Sequence, residues 1–440
     1  MMSGGASGGR MSGTASGGRM TGNAAWPLPG VVTLADIGAL GPAISENTGQ
    51  SIAIQPLSGR PGFLAKIYRQ PRPAQDGDRL DALIAAPETL NAADRAIVRA
   101  ASSWPVARIT RAGNAVVGCV IPAAPERFKT DVTVGGVSAP QHVEVDWLAK
   151  PDEDLRQVGI AAPGPAGRVA VCRNLAELAE VLEKLGLVYS DWSYSNAFWS
   201  PVDHSVFVID IDGCQLGKMP NVHQPSWADP LTPAGGDADR YTDRFRVALL
   251  VSRCLTAKRR ADAIGGIATG TWPEQPAAPD VLLDMLLAAD RERRPSIGQL
   301  RLALAGGPYF RPAPRTPWLP APGVSDAVLR AARGEGPAVA EAVGALASGS
   351  GSASALRKVP LNPFGTANQP SKKSVVDLSK PLPTLEPVVP ATPATPATPA
   401  TPTRGARSRL RSLALSVFVT VLTIVAVTVA VSLFNALFER

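Results

Sequence analysis

The chain has 440 residues, 45% apolar, 18% charged and 5% aromatic. Its 44 Lys and Arg against 37 Asp and Glu leave +7, a charge too dilute over this length for a nucleic-acid binder. Cys119, Cys172, Cys214 and Cys254 lie far apart with no C-x-x-C pair, which excludes a sequence-readable zinc ribbon and argues against a disulfide scaffold.

Residues 1–25 form a Gly/Ser/Ala/Thr leader in two near-copies, without the apolar run of a signal peptide or a core element, so disorder is expected. Residues 26–305 read as one globular segment, long enough for a substantial core. Phe63 to Tyr68 and Val206 to Ile211 are rich in β-branched and aromatic residues and predict strands. Arg173 to Leu185 carries Leu175, Leu178, Ala179, Leu182 and Leu185 at helical spacing, and Asp243 to Leu255 follows the same period. Residues 306–346 are an Ala-rich extension, helical from Asp326 to Leu346. Residues 347–403 read as a linker that ends in Pro-Ala-Thr triplets, whose regular prolines favour an extended polyproline spacer.

Residues 404–412 are basic, with Arg404, Arg407, Arg409 and Arg411. Residues 413–438 then contain no formal charge. A span needs about 20 apolar residues, and this stretch would extend roughly 39 Å as a helix. It predicts a single transmembrane helix. The arginines before it place the preceding chain on the cytoplasmic side of the cell membrane. Ser, Thr and Ala along the span permit helix association, and so a dimer, without a strong G-x-x-x-G.

The chemistry concentrates in Leu187-Val-Tyr-Ser-Asp-Trp-Ser-Tyr-Ser-Asn, followed by Val206-Phe-Val-Ile-Asp-Ile-Asp-Gly. Asp191 and Asn196 stand five apart on a loop after a helix, and Asp210 ends an apolar strand. A carboxylate to orient a hydroxyl, an amide and a second carboxylate are what phosphoryl transfer with Mg²⁺ requires. Their oxygens are hard ligands, and no His cluster offers a softer site.

On these residues the chain resembles the protein-kinase superfamily, in a bacterial Ser/Thr kinase-like form. The H-R-D-x-x-x-x-N loop reads Tyr189-Ser190-Asp191 to Asn196, and the D-F-G segment reads Asp210-Ile211-Asp212-Gly213. Phe63-Leu-Ala-Lys-Ile-Tyr-Arg is similar to V-A-I-K. The resemblance implies an α+β bilobal fold, with a small β-rich N-lobe and a larger helical C-lobe. It also implies ATP and Mg²⁺ as cofactors, and protein substrates or signalling partners at the membrane.

By that resemblance Lys66 holds the α- and β-phosphates and Asp191 orients the acceptor hydroxyl. Asn196 carries the metal with Asp210 or Asp212, Asp210 being preferred because it directly follows the strand. Gly49, Gly59 and Gly62 are the only glycines available to cover the phosphates, and they do not make G-x-G-x-x-G. Val120 and Pro122 lie where a hinge would hold adenine through its backbone. Asp81 and Glu88 are the candidate acids for pairing Lys66. Asp229 stands at the A-P-E glutamate, Asp243, favoured over Asp239, opens the central helix, and Arg294 in Arg293-Arg-Pro-Ser pairs with Asp229. Trp192, Trp199 and Trp227 face substrate or core, with Trp199 assigned to the core.

Two departures stand out: Tyr189 and Ser190 replace the usual His and Arg, removing the Arg that pairs with a phosphorylated activation loop. Rival readings remain. Asp191 and Asp210 could be ordinary capping carboxylates. Aminoglycoside- or choline-type phosphotransferases share the loop and I-D-x-D, but lack the segments after Asp210. A pseudokinase, acting as a nucleotide-binding or docking scaffold, would keep the fold without transfer.

Overall fold

The computed structural model describes residues 25–46, 51–111, 114–221, 225–233, 235–259, 262–311 and 315–334. Gly49, nearly all of the leader, residues 335–346 of the extension, the linker, the basic stretch and the expected span at 413–438 lie outside the described residues. Among the described residues no helix is long and apolar enough to cross a membrane.

The N-terminal part is a mixed six-stranded sheet built from β1 (Val31–Thr33), β2 (Ser45–Glu46), β3 (Ser51–Pro56), β4 (Phe63–Arg72), β5 (Ala107–Thr110) and β6 (Val116–Pro122). Its order is β1-β5-β6-β4-β3-β2, with only β1 and β5 parallel. β4 and β6 are central, so both edges of each are paired, and β6 is buried throughout. Alternation along β4 sends Phe63 and Ala65 to one face and Lys66 and Tyr68 to the other. The first face packs with Val32, Ile37, Leu57, Ile109 and Val120 beneath α1 (Leu34–Ile37) and its flanking segment. Gly118 permits the close approach of β6 to β4, because a Cβ there would meet the Lys66 carbonyl oxygen at 2.3 Å.

The second face carries α2 (Ala74–Ala85), which buries Leu80 and Leu83; α3 (Ala92–Ala101), capped by Asn91, follows it. Trp104 Nε1 donates to the Leu83 carbonyl at 2.9 Å. A hairpin of β7 (Lys129–Val134) and β8 (Val137–His142) follows the sheet.

The larger, C-terminal part is mostly helical. It holds α4 (Asp152–Gln157), α5 (Gly164–Lys184), short strands β9 (Leu187–Val188), β10 (Ala197–Trp199), β11 (Val206–Val208), β12 (Gln215–Leu216), β13 (Lys218–Pro220) and β14 (Asp237–Asp239), then α6 (Arg240–Thr256), α7 (Asp262–Thr269), α8 (Ala278–Leu287), α9 (Ile297–Leu304) and α10 (Asp326–Ala332). α5 begins nine residues before the expected Arg173. Pro165 in its first turn suits a helix start, and Val171 and Cys172 continue its apolar stripe inward. α6 is buried on nearly every side, as a central helix must be.

Further boundaries differ from the sequence expectation: α6 starts three residues before Asp243, and the helix expected over Asp326 to Leu346 stops at Ala332. The strand expected over Val206 to Ile211 stops at Val208, because Asp210 takes a left-handed conformation (φ 62°) and turns the chain. Packed structure also continues past residue 305. Ala289 N donates to Pro317 O at 2.7 Å and Leu319 N to Leu287 O at 2.6 Å. Asp284 accepts Trp318 Nε1 at 2.8 Å and Tyr309 OH at 3.0 Å, and α10 buries Val328 and Leu329. The four cysteines are buried and unpaired.

Candidate active site

Lys66 is placed by β4 and points toward the end of β11. Its Nζ lies 2.6 Å from Asp212 Oδ1 and 3.0 Å from Asp210 Oδ1. Tyr68, two residues on and therefore on the same face, donates its OH to Asp212 Oδ2 at 3.0 Å. Burial opposes charge on Lys66, but Asp212 and Asp210 outweigh it and hold the ammonium above its ordinary pKa. Burial likewise opposes the Asp212 carboxylate, and Lys66 with the Tyr68 hydroxyl brings it below its ordinary value.

The two acids differ in access. The Asp210 side chain is 45% exposed and that of Asp212 is 3% exposed. Neither acid proposed for Lys66 from the sequence meets it. Asp81 on α2 pairs with Arg108 at 3.0 Å, and Glu88 pairs with Arg95 and Arg99 at 3.0 and 3.3 Å. The resemblance, which calls for an acid on the helix after the lysine strand, suggested them; the chain folds both toward arginines instead.

Asp191 is exposed on the loop after β9. Its carbonyl accepts Asn196 Nδ2 at 3.0 Å and Ser193 N at 2.7 Å, so the loop closes on itself and sets Asn196 relative to Asp191. Asn196 is tied to the Asp210 strand end, because its carbonyl accepts Ile209 N at 2.9 Å. The Ile209 carbonyl in turn accepts Tyr189 OH at 2.7 Å. Asp191, Asn196 and Asp210 are thus brought to one region by a short hydrogen-bonded path.

That loop contains a strained residue. Ser190 has φ 62°, uncommon for a side chain with a Cβ. Two buried groups of α6 hold it there. Asp243 accepts Tyr189 N at 2.7 Å and Ser190 N at 2.8 Å. Burial pushes the Asp243 carboxyl up to about 6, against those two amide donors. Arg246 donates to the Ser190 carbonyl, to Ser190 Oγ at 2.7 Å, to Trp227 O at 3.2 Å and to Asn221 Oδ1 at 2.5 Å. Contrary to the expectation from the sequence, Asp239 and not Asp243 opens α6, capping it by accepting Tyr241 N and Thr242 N, while Asp243 lies in the first turn.

Elsewhere in the C-terminal part, Asp229 and Arg294 form a bidentate pair with both contacts at 2.7 Å. Burial opposes the Asp229 charge, and the Arg294 hydrogen bonds bring its carboxyl below the ordinary value. Trp192, Trp199 and Trp227 are all buried. Trp227 stacks edge-on with Tyr194 at 5.0 Å and Trp192 with Tyr189 at 4.9 Å.

The remaining expected residues sit elsewhere on the sheet. Gly59 lies in the β3–β4 turn, at the Phe63 end of β4. Phe63 pairs with Pro122 and Ala65 with Val120. Val120 and Pro122 therefore belong to strand β6 rather than to a connection after it. The Val120 carbonyl accepts Val106 N at 2.9 Å, and its side chain is fully buried on the sheet's outer face.

Tyr68 and Arg246 were not singled out from the sequence. Tyr68 was reachable by period two from Lys66. For Arg246 the signal is a lone guanidinium within the apolar run of α6.

No protein-family model matches this chain, and no curated protein matches it. Solved structures with protein-kinase folds do. The ROP18 kinase domain in complex with AMP-PNP and sucrose is 14% identical, with a TM-score of 0.40, over 59% of this chain and 76% of that one. ROP2 from Toxoplasma gondii, described as a virulence factor with a protein-kinase fold and no enzymatic activity, is 13% identical with a TM-score of 0.39 over the same shares. The BubR1 kinase domain is 10% identical with a TM-score of 0.42, over 60% of this chain and 78% of that one. Each is a protein to which this chain is similar.

Proposed function

We propose that this protein is a kinase-like phosphotransferase that binds ATP with Mg²⁺ and transfers the γ-phosphoryl group to Ser or Thr hydroxyls of proteins. One observation carries the reading: a buried lysine on a central strand reaches the strand end bearing Asp210, to which the Asp191–Asn196 loop is tied by hydrogen bonds. Phosphoryl transfer depends on charge neutralisation and in-line positioning, and this region concentrates groups for both.

The donor set suits a hard cation. Asp210 keeps its carboxylate accessible, and Asn196 uses its Nδ2 on the loop, which leaves Oδ1 as a ligand atom. These two would hold Mg²⁺, which when bound neutralises phosphate charge. Lys66 contributes the fixed positive charge for the α- and β-phosphates. Asp191, exposed and next to the strained Ser190, orients the acceptor hydroxyl and receives its proton. Asp243 and Arg246 keep that loop in its strained form without touching the acceptor.

The apolar stretch at 413–438, with the arginines before it, supports a tether that confines this activity to the cytoplasmic face of the cell membrane. Protein partners would then be found there.

A second reading, a nucleotide-binding or docking scaffold, is favoured by the short β2–β3 connection with Gly49 as its single glycine and by Ser190 at the usual arginine. Incubating the full-length chain with Mg²⁺ and γ-labelled ATP, beside Asp191→Ala, separates the two. Label incorporation that disappears in the variant supports transfer. A nucleotide-dependent thermal shift without incorporation moves the assignment to the scaffold. If neither signal is seen, both nucleotide readings fail.

A further inference from the structure

Lys66 is buried, and a buried ammonium is tolerated only when paired. The acid that α2, the helix after β4, turns toward the sheet, Asp81, is engaged with Arg108 at 3.0 Å and does not reach the lysine. The lysine instead meets Asp212 at 2.6 Å. Both Asp212 oxygens are occupied inside the protein, one by Lys66 and the other by Tyr68 OH at 3.0 Å. The fully buried Cys119, paired in register with Lys66 across β4 and β6, lies on the strand behind them. A metal ligand needs an oxygen that can be reached, and Asp212 has a side chain only 3% exposed. Its neighbour Asp210 has that access.

We propose that Asp212, held by Tyr68, is the positioning residue that sets Lys66 for nucleotide phosphates, in place of an acid on α2. The inference rests on the phosphotransferase reading and deepens it: the doubled aspartate divides its labour, Asp210 facing the ligand and Asp212 acting only through the lysine. The lysine is thereby coupled to the strand end that carries Asp210.

The experiment measures ATP affinity of the full-length chain, with and without Mg²⁺, for wild type, Lys66→Met, Asp212→Asn and the double variant. Asp81→Asn is the control. Asp212→Asn is expected to weaken binding about tenfold or more in the wild-type background, to add nothing in the Lys66→Met background, and to do so equally without Mg²⁺. An equal loss in both backgrounds, or a loss seen only with Mg²⁺, would show that Asp212 touches the ligand or metal directly and overturn the proposal. A loss from Asp81→Asn as large as that from Asp212→Asn overturns it too.

Tyr68→Phe removes one hydrogen bond from the same carboxylate and provides a milder variant should Asp212→Asn fold poorly. It should weaken ATP binding a few-fold, again only when Lys66 is present, and unchanged affinity counts against the proposal. Failure of wild type to bind ATP would overturn the phosphotransferase reading itself. A double-variant unfolding cycle in urea then decides the pairing: coupling of Lys66 to Asp212 and not to Asp81 keeps Asp212 as the residue that sets Lys66, and no coupling removes it.

Discussion

Arg294–Asp229 and Lys66–Asp212 are both ion pairs shielded from water, but their surroundings differ. Around Asp229 each oxygen has two donors: Arg294 on both, Leu231 N on one and Thr232 Oγ1 on the other, at 2.7 to 3.0 Å. Both side chains are 0% exposed. The Lys66 ammonium instead bridges one sealed carboxylate and one that is 45% exposed. A sealed pair can only hold structure. A pair beside an open carboxylate can exchange a partner for a ligand, as the proposed phosphoryl transfer requires.

The comparison breaks most severely if the sealed pair proves dispensable. Arg294→Met leaves an uncompensated buried carboxylate and is expected to cost about 3–5 kcal/mol, read as a shift of the urea unfolding curve; a loss below about 1 kcal/mol would refute the assignment. The α6 clamp comes next. Arg246→Met removes the donors to Ser190 and Trp227 in buried surroundings, at an expected cost of about 2–3 kcal/mol. Phosphoryl transfer should fall while ATP affinity is retained, because the clamp acts on the Asp191 loop and not on Lys66. Gly118→Ala forces β6 from the Lys66 carbonyl and should cost about 1–3 kcal/mol, here with weakened ATP binding.

Acidity sharpens the contrast between Asp229 and Asp243. The Asp229 carboxyl is depressed in the folded protein, so its contribution is present above the ordinary value of 3.8 and lost as pH falls through the folded pKa. Asp243 is raised to about 6, so its contribution is present below 3.8 and lost as pH rises through about 6. Unfolding titrations should show Asp243→Asn flattening the change between those values and Asp229→Asn flattening the acid limb; an unchanged profile in either variant refutes the corresponding shift. The smallest stability effect belongs to the open carboxylate. Asp210→Asn takes one of two carboxylates from the buried Lys66 ammonium and should cost about 1 kcal/mol, yet remove the Mg²⁺-dependent part of ATP binding, and a variant that keeps that part would remove Asp210 from the metal role.

Much of this arrangement was legible before any coordinates, because the signals are local. Enrichment in β-branched and aromatic residues placed Lys66 on a strand, and period 3.6 found α5 and α6. The start of α5 was missed because Gly164-Pro165 reads first as a turn, although proline also suits a helix start. The partner of Lys66 was not legible. Asp81, Glu88, Asp210 and Asp212 are all carboxylates within reach of a plausible chain path, and sequence spacing does not rank them.

The sequence by itself determined the alternation and periodicity of the elements, the charged residues at their ends, and the uncharged stretch at 413–438, since each depends on neighbours a few positions away. Tertiary structure decided which charges meet: Lys66 with an acid 146 residues on, Arg246 with Ser190 across 56, and the segment around Trp318 with α8. Burial makes such pairings decisive, because a charge or polar group removed from water must find its partner wherever the folded chain brings one.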